Sequence, residues 1–289
     1  MLTPQIPRLS HSSRVSRPFA TRRVSRSAAV GVEPLESRRL LDATLVNGVV
    51  EVVGTPLSDD ILIYRQPDIE GNPVYAVVIG PINGERSTRP TRLWTFPAAQ
   101  VRSFSVRAGS GDDVVDLAVA TFSLPATIDY GPVTVPSQID GGLGDDKLYG
   151  GEARDVIVGG FGRDRIEGRG GEDLLLGGYG NDLIHGGGGN DLVLAGPGND
   201  SVSGDEGDDR LFGDTGNDWL GAFSEGPSDE PGNDLIVGGP GADTLMGGNG
   251  DDRLYGGPGP DRFFFSDGPS EMKDRGPEDR VDAPPPGVL

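Results

Sequence analysis

The sequence predicts an all-β chain whose main part is a parallel β-roll, a solenoid in which short strands stack coil upon coil. Glycine and aspartate recur with a period of nine residues over 141–264, and one apolar position recurs in every period. The composition agrees, because 48 glycines and 24 prolines accompany only 35% apolar residues among 289. A repeating backbone with few inward side chains fits these numbers better than an ordinary globular core does.

The first 43 residues are predicted to be a basic, unstructured leader. Residues 1–42 carry eight arginines against three acidic residues, whereas the rest of the chain is strongly acidic. The string EPLESRRLL, within Val32 to Ala43, resembles the short leader motif found ahead of large bacterial surface and exported proteins. This resemblance implies export or sorting, and a plain basic tail is the alternative.

Residues 44–140 are predicted to form a β-rich segment, either a cap on the roll or an irregular solenoid leading into it. Runs such as DILIY and VYAVVIG alternate with Gly, Pro and Asn turns. Two degenerate nonapeptides, GTPLSDDIL and AGSGDDVVD, place Asp59 and Asp113 at their sixth positions. Ordinary strand turns are the alternative interpretation of these two nonapeptides.

Residues 141–264 contain thirteen nonapeptides, nine in an unbroken run and four after a seven-residue insertion at 222–228. Position eight is apolar in all thirteen, and position four is Gly except at Ala153. Position six is always Asp, namely Asp146, Asp155, Asp164, Asp173, Asp182, Asp191, Asp200, Asp209, Asp218, Asp234, Asp243, Asp252 and Asp261. This pattern resembles the hemolysin-type repeat of the RTX proteins, which implies a β-roll that binds calcium.

Each nonapeptide is predicted to form a six-residue turn followed by a three-residue strand. Glycines in the turn allow positive φ and let carbonyl oxygens approach an ion, while the strand directs only its central side chain inward. Two nonapeptides make one coil, so repeat n lies beside repeat n+2 and their Asp carboxylates face each other. Carboxylates and carbonyls form an all-oxygen cage that suits Ca²⁺ rather than zinc or copper. Counting such pairs predicts up to about nine calcium ions.

Folding of the array is expected to depend on calcium. One buried apolar side chain in nine residues recovers less free energy than ordering the backbone costs, so bound ions must contribute to stability. Flexible acidic loops are the alternative, although they would not need a fixed apolar residue. Weaker sites are expected at the substituted turn positions Ala153, Arg169, Ala195, Asp205, Asp214, Asp229 and Glu230. The unit that starts at Asp229 is expected to be the poorest site.

One outer face of the roll is predicted to be apolar. Its outward residues are Val156, Val158, Leu174, Leu176, Leu192 and Leu194, followed by Arg210 and Phe212. The opposite sheet presents mostly polar pairs. An exposed aliphatic patch implies a protein partner, and cover by the chain's own amino-terminal region is the alternative.

Charge and composition narrow the classes of partner. The formal net charge of −20 disfavours nucleic acid and anionic membrane surfaces. No run approaches the roughly 18 apolar residues of a transmembrane helix, and the lack of cysteine excludes thiol catalysis. After the array, residues 265–289 are predicted to form an acidic, Pro-rich tail.

No catalytic constellation is recognisable, so the protein is expected not to be an enzyme. The histidines are His11, in the leader, and His185, at an outward position nine that predicts a solvated side chain. The motifs H-E-x-x-H and G-x-S-x-G and a P-loop are missing. We expect a calcium-dependent structural or adhesive protein that is extracellular or at the cell surface, where calcium is millimolar. A secreted hydrolase or toxin-like protein with its site in 44–140 is the alternative.

Overall fold

The computed structural model describes residues 42–81, 92–117, 132–221, 232–264, 271–272 and 276–282. These residues form two β-sheets, of eleven and twelve strands. The helical element described among them is a 3-10 turn at Ala98–Gln100. The predicted all-β class is therefore confirmed, whereas residues 1–41 of the predicted leader and the insertion at 222–228 lie outside the described residues.

The strands before the array and in its first coils are β1 (Asp42–Val46), β2 (Val49–Val53), β3 (Asp59–Pro67), β4 (Pro73–Pro81), β5 (Arg92–Pro97), β6 (Ser103–Ser110), β7 (Val114–Asp116), β8 (Ser137–Leu143), β9 (Lys147–Tyr149), β10 (Val156–Phe161), β11 (Arg165–Gly170) and β12 (Leu174–Tyr179). The later strands are β13 (Leu183–Gly188), β14 (Leu192–Leu194), β15 (Ser201–Glu206), β16 (Arg210–Phe212), β17 (Trp219–Gly221), β18 (Leu235–Val237), β19 (Thr244–Met246), β20 (Arg253–Tyr255), β21 (Arg262–Phe264), β22 (Glu271–Met272) and β23 (Arg280–Asp282).

The two sheets take alternate strands of the array, as a β-roll requires. The first sheet has the order β1-β2-β6-β8-β10-β12-β14-β16-β18-β20-β22. The second has the order β23-β21-β19-β17-β15-β13-β11-β9-β7-β3-β4-β5. All strand pairs from β6 to β23 are parallel. The strands with antiparallel partners, β1, β4 and β5, lie at the end of each sheet that precedes the array. The segment before the array thus supplies irregular parallel coils and the antiparallel strands that close them.

The register confirms that two nonapeptides make one coil. Val156 pairs with Leu174, and Ile166 pairs with Ile184, so each residue lies beside its counterpart two repeats later. Across the insertion, Arg210 pairs with Leu235 and the same columns continue. The seven extra residues therefore leave the register of the roll unchanged. Beyond Phe264, β22 and β23 add one more strand to each sheet.

The core is a single column of side chains between the two sheets. The position-eight residues are buried throughout, with exposed fractions of 0–1%: Leu148, Ile157, Ile166, Leu175, Ile184, Val193, Val202, Leu211, Leu220, Ile236, Leu245, Leu254 and Phe263. Val106, Val115 and Ile139 continue the same cluster into the earlier coils. The predicted inward direction of position eight is confirmed. Within the described ranges, no helix has the length and apolar character needed to cross a membrane.

The apolar outer face of the first sheet lies where it was predicted. Its side chains are half-buried, apart from Leu194, which is 38% exposed. The column of position nine continues from Leu194 through Phe212 and Val237 to Tyr255. The apolar strip is therefore longer than the three coils that the sequence singled out. Contact of this strip with a protein partner stays a prediction.

Candidate calcium sites

The position-six aspartates stack in two rows, one along each set of turns. Row one belongs to the turns that lead into the second sheet and contains Asp146, Asp164, Asp182, Asp200, Asp218, Asp243 and Asp261. Row two belongs to the turns that lead into the first sheet and contains Asp155, Asp173, Asp191, Asp209, Asp234 and Asp252. The fold therefore brings the predicted site residues into two continuous lines.

One carboxylate oxygen of each aspartate links neighbouring coils. The backbone N–H of Asp146 donates to Oδ1 of Asp164 at 2.8 Å, and that of Asp164 donates to Oδ1 of Asp182 at 2.9 Å. The same bond spans the insertion, from Asp218 to Asp243 at 2.9 Å. Each Oδ1 is thus fixed by the preceding coil, which orients the carboxylate and leaves Oδ2 as the oxygen that can bind something else.

The second oxygen, Oδ2, is buried and has no hydrogen-bond donor among the described residues. This is the case for Asp146, Asp164, Asp173, Asp182, Asp191, Asp200, Asp209, Asp218 and Asp243. Leaving a buried carboxylate oxygen without a partner is costly, and natural structures rarely do so. A repeated set of such atoms indicates that a cation or a proton completes each position.

Burial raises the pKa of these carboxyl groups. The pKa of Asp164 rises from 3.8 to about 7, first because burial removes water from the charged form and then because Asp182 and Asp146 are negative neighbours. The pKa of Asp209 rises to about 8 for the same first reason, with Asp234 and Asp191 adding repulsion. Backbone N–H donors oppose these shifts but do not cancel them. Ionised carboxylates at neutral pH therefore need a compensating positive charge.

Main-chain carbonyl oxygens converge on the same places as Oδ2. A Cβ added to Gly141 would lie 2.5 Å from Oδ2 of Asp146 and 2.7 Å from the carbonyl oxygen of Gly159. A Cβ on Gly177 would lie 2.6 Å from Oδ2 of Asp182 and 2.5 Å from the carbonyl oxygen of Ala195. Glycine thus keeps open a space that both kinds of oxygen face. Such hard oxygen ligands are those that Ca²⁺ prefers.

The ligand set would be mostly backbone. In the part of the chain that the structure describes, no three His, Cys, Asp or Glu side chains converge on one point. A bound ion would therefore take most of its oxygens from carbonyls of two successive coils, with the aspartates supplying the charge. This donor set excludes the imidazole and thiolate coordination typical of structural zinc.

The turns with and without a donor to Oδ2 differ in the backbone at position two. In the turns of the nine aspartates whose Oδ2 lacks a donor, position two has positive φ: Gly142, Gly160, Arg169, Gly178, Gly187, Gly196, Asp205, Asp214 and Gly239. The turn of Asp155 differs, because Gly151 is not in this conformation and its N–H donates to Oδ2 of Asp155 at 2.7 Å. We call the first kind an open turn and the second a closed turn.

Closed turns lie at the ends of the rows. Asp155 opens row two, and its Oδ1 accepts from the N–H and Oγ of Ser137 at 2.7 and 2.8 Å. Row one extends past the array to Asp279, whose Oδ2 accepts from the N–H of Gly276. Asp155 is among the predicted metal ligands, and Ala153 at position four of its turn is the departure from the repeat pattern that sets this turn apart.

Three open turns contain a side chain at position two, where the repeat pattern has glycine. Arg169, Asp205 and Asp214 have φ of 77°, 64° and 74°, in the left-handed region that is strained for a residue with a side chain. The guanidinium of Arg169 forms an ion pair with Asp116, 3.0 Å from its Oδ1, and lies over the ring of Tyr149. The weaker calcium affinity expected at these turns stays a prediction, and Asp229 and Glu230 lie outside the described residues.

Asp205 is held by two polar neighbours on the outer surface. Its Oδ2 lies 3.4 Å from Nδ1 of His185, and its Oδ1 accepts from Oγ of Ser203 at 2.8 Å. Burial alone would raise the pKa of Asp205, but these hydrogen bonds lower it below its ordinary range. His185 is at position nine, as predicted, but it is half-buried and contacts the turn of the next coil rather than solvent alone.

Comparison with known proteins agrees with this geometry. The family model of the RTX calcium-binding nonapeptide repeat (4 copies) matches residues 138–166, 159–193, 167–202, 186–220 and 230–263. No curated protein matches the chain. The matched residues contain all thirteen position-six aspartates. Residues 138–220 and 230–263 of this chain therefore match RTX calcium-binding nonapeptide repeats, and the described residues among them fold as a parallel β-roll.

Proposed function

We propose that this protein is a non-catalytic structural or adhesive protein of the cell exterior or cell surface, whose β-roll folds when it binds calcium. The observation that carries the proposal is the repeated occurrence, in both rows, of buried Oδ2 atoms that have no hydrogen-bond donor among the described residues, as at Asp146, Asp164 and Asp173. A cation at each open turn would replace the missing donors and neutralise the carboxylates. The position-six aspartates of the open turns are the proposed ligands, for up to about nine ions.

Repulsion along the rows supports a folding role rather than simple storage of calcium. Neighbouring carboxylates raise one another's pKa, as Asp155 and Asp191 do for Asp173, after the larger effect of burial. Without cations, folding would bring these charges together at a cost in free energy. Binding to the folded chain alone therefore shifts the folding equilibrium by mass action.

Two features support a role outside the cell. The net charge of −20 gives the chain a strong attraction for cations. Extracellular calcium-binding modules work at dissociation constants of roughly 10⁻⁴ to 10⁻³ M, which match the calcium concentration outside cells. A roll that folds under those conditions would stay unfolded at cytosolic calcium, so that it acquires structure only at its destination.

A calcium titration of the metal-free full chain, followed by far-ultraviolet circular dichroism, tests the proposal. The expected result is a cooperative gain of β signal at roughly sub-millimolar to millimolar calcium, with no gain in magnesium at the same concentration. Magnesium is the control because it dehydrates reluctantly and demands a tighter octahedral cage. A spectrum that calcium leaves unchanged would overturn the folding role.

Adjacent aspartates in one turn provide a matched pair of variants. Asp145 is exposed at position five, where its Oδ1 accepts from the N–H of Arg163, and Asn181 accepts the same bond from Asn199. Asp145→Asn therefore keeps its hydrogen bond, whereas Asp146→Asn weakens an open site, and both remove one charge. We expect Asp146→Asn to raise the calcium midpoint by roughly threefold or more and Asp145→Asn to leave it nearly unchanged. Equal shifts in the two variants would favour a general charge effect.

A further inference from the structure

The turn at residues 108–113 lies before the residues matched by the repeat family, yet it has the features of an open turn. Gly109 and Gly111 have φ of 120° and 105°. Asp113, at its sixth position, is 1% exposed, and its Oδ2 has no hydrogen-bond donor among the described residues. Position one is Ala108, as it is Ala195 in the turn of Asp200, whereas positions two and four and the carboxylate have the geometry of an open turn of the array.

Hydrogen bonds make Asp113 part of row one. Its backbone N–H donates to Oδ1 of Asp146 at 2.7 Å, and its own Oδ1 accepts from the N–H of Asp59 at 2.7 Å. The two aspartates Asp113 and Asp146 are 33 residues apart in the chain instead of 18. The longer connection has therefore not displaced this turn from the line of the others.

The carbonyl groups stack here as they do between repeats. A Cβ on Gly142 would overlap the carbonyl oxygen of Gly109, and one on Gly144 would overlap that of Gly111. Inside the array, Gly160 and Gly162 meet the carbonyl oxygens of Gly142 and Gly144 in the same way. The turn before the array thus presents its carbonyl oxygens at the same spacing as a true repeat does.

We propose that Asp113 forms a further calcium site, with main-chain carbonyl oxygens of its own turn and of the next coil, at the start of row one. The proposal rests on the proposed function, since it extends the same row of sites to a turn that the family match does not include. Burial, followed by the negative neighbours Asp146 and Asp59, raises the pKa of Asp113 to about 8, which is consistent with a carboxylate that needs a cation. An ion there would fix β7, and through it the coils before the array, to the first repeat.

The row ends at the next turn upstream. Oδ2 of Asp59 accepts from the backbone N–H of Thr55 at 2.6 Å and from its Oγ1 at 2.8 Å. Thr55 is the position-two residue of this turn and does not have positive φ. Asp59 is therefore in a closed turn, buried like Asp113 but already supplied with donors. It is the natural negative control for the proposed site.

Counting bound calcium ions on the full chain tests the proposal, by isothermal titration or by equilibrium dialysis with ⁴⁵Ca. Asp113→Asn should bind one ion fewer than the parent protein, while Asp59→Asn and Asp112→Asn should keep the parent number. Asp112 is the matched control because it is exposed at position five and its Oδ1 accepts from the N–H of Asp145. Asp146→Asn, inside the family match, calibrates the loss of one ion.

The outcomes separate this proposal from the one on which it rests. An unchanged number in Asp113→Asn, with one ion lost in Asp146→Asn, would overturn the site at Asp113 and leave the calcium-dependent roll intact. Loss of an ion in Asp59→Asn would overturn the distinction between open and closed turns. A parent protein that binds no calcium would overturn both proposals.

A measurement on the unmutated chain covers the case in which Asp113→Asn does not fold. Anomalous scattering from crystals of the calcium-bound protein should place an ion about 2.3–2.6 Å from Oδ2 of Asp113. The same map should show no ion at Oδ2 of Asp59. Ions in the turns of the repeats, but none at Asp113, would reject the additional site.

Discussion

At the scale of single residues, the conformation of position two accompanies a difference at position six. In nine turns of the array φ is positive at position two and Oδ2 of the aspartate has no donor among the described residues, as for Gly160 and Asp164. Where φ is not positive, as at Gly151, the N–H caps the carboxylate. One backbone rotation thus converts an internally satisfied turn into a candidate ion site.

The closed turn of Asp155 leads to a specific expectation. Asp155→Asn should destabilise the roll by about 1–2 kcal/mol, because an amide nitrogen would replace an oxygen that accepts from Gly151 or from Ser137. It should not reduce the number of bound calcium ions, whereas Asp173→Asn, in the next open turn of row two, should. Thermal unfolding and ion counting on the two variants measure both effects. A loss of one ion in each would show that the capped carboxylate still binds calcium.

Glycine at position four is the second residue-scale requirement. A Cβ on Gly180, where φ is 139°, would overlap the carbonyl oxygen of Gly162 in the neighbouring coil. Gly180→Ala should therefore cost about 3 kcal/mol or more in the free energy of unfolding with calcium present. Gly188→Ala is the matched control, because its Cβ would approach no atom closer than 3.8 Å. Similar thermal midpoints for the two variants would contradict this account.

At the scale of elements, the period of nine predicts most of the fold, because turn and strand alternate within each repeat. The register, the inward direction of Ile157 and the outer apolar strip follow from that period alone. The difference between open and closed turns does not follow from the period of nine, because it also depends on the coil that lies beside the turn. Ala153 marks the turn of Asp155 as unusual, but position two is the usual glycine, Gly151, and its neighbour in the preceding coil is Val133 rather than a glycine of another repeat. Asp279 lies 18 residues after Asp261 and so keeps the nonapeptide spacing, but it was missed because Asp274, Arg275 and Pro277 stand where the repeat pattern has glycine.

Deleting the seven-residue insertion tests whether the coils on either side of it depend on it for folding and calcium binding. Arg210 pairs with Leu235 across it in the same register as pairs elsewhere. Removing residues 222–228 should therefore leave the calcium midpoint and the number of bound ions unchanged, because shortening a loop changes the closure entropy by less than about 1 kcal/mol. Circular dichroism and ion counting on the deletion variant check this. A lost coil, seen as fewer ions, would mean that the insertion supports the neighbouring turns.

At the scale of the whole molecule, two rows of buried carboxylates make folding a function of pH as well as of calcium. Burial raises the pKa of Asp164, Asp200 and Asp243 to about 7 and that of Asp209 to about 8, from 3.8 in an exposed chain. A group with a higher pKa in the folded chain binds a proton on folding. Its favourable contribution is complete below about pH 4 and is lost as the pH rises through about 6 to 8.

Without calcium, the chain should therefore gain β structure on acidification. With calcium, it should fold at neutral pH. Its calcium affinity should fall as the pH is lowered, because protons compete for the carboxylates. Asp209→Asn mimics a protonated carboxyl group, so the calcium-free variant should keep more β signal at pH 8 than the parent does. Asp208→Asn, at the neighbouring exposed position, is the control for charge alone. Circular dichroism of metal-free protein between about pH 4 and 8.5 measures these effects, because this range covers the exposed and the raised pKa values. A calcium-free β signal that does not change over this pH range would mean that repulsion among the carboxylates does not prevent folding. Calcium would then act by binding the carbonyl oxygens rather than by neutralising charge.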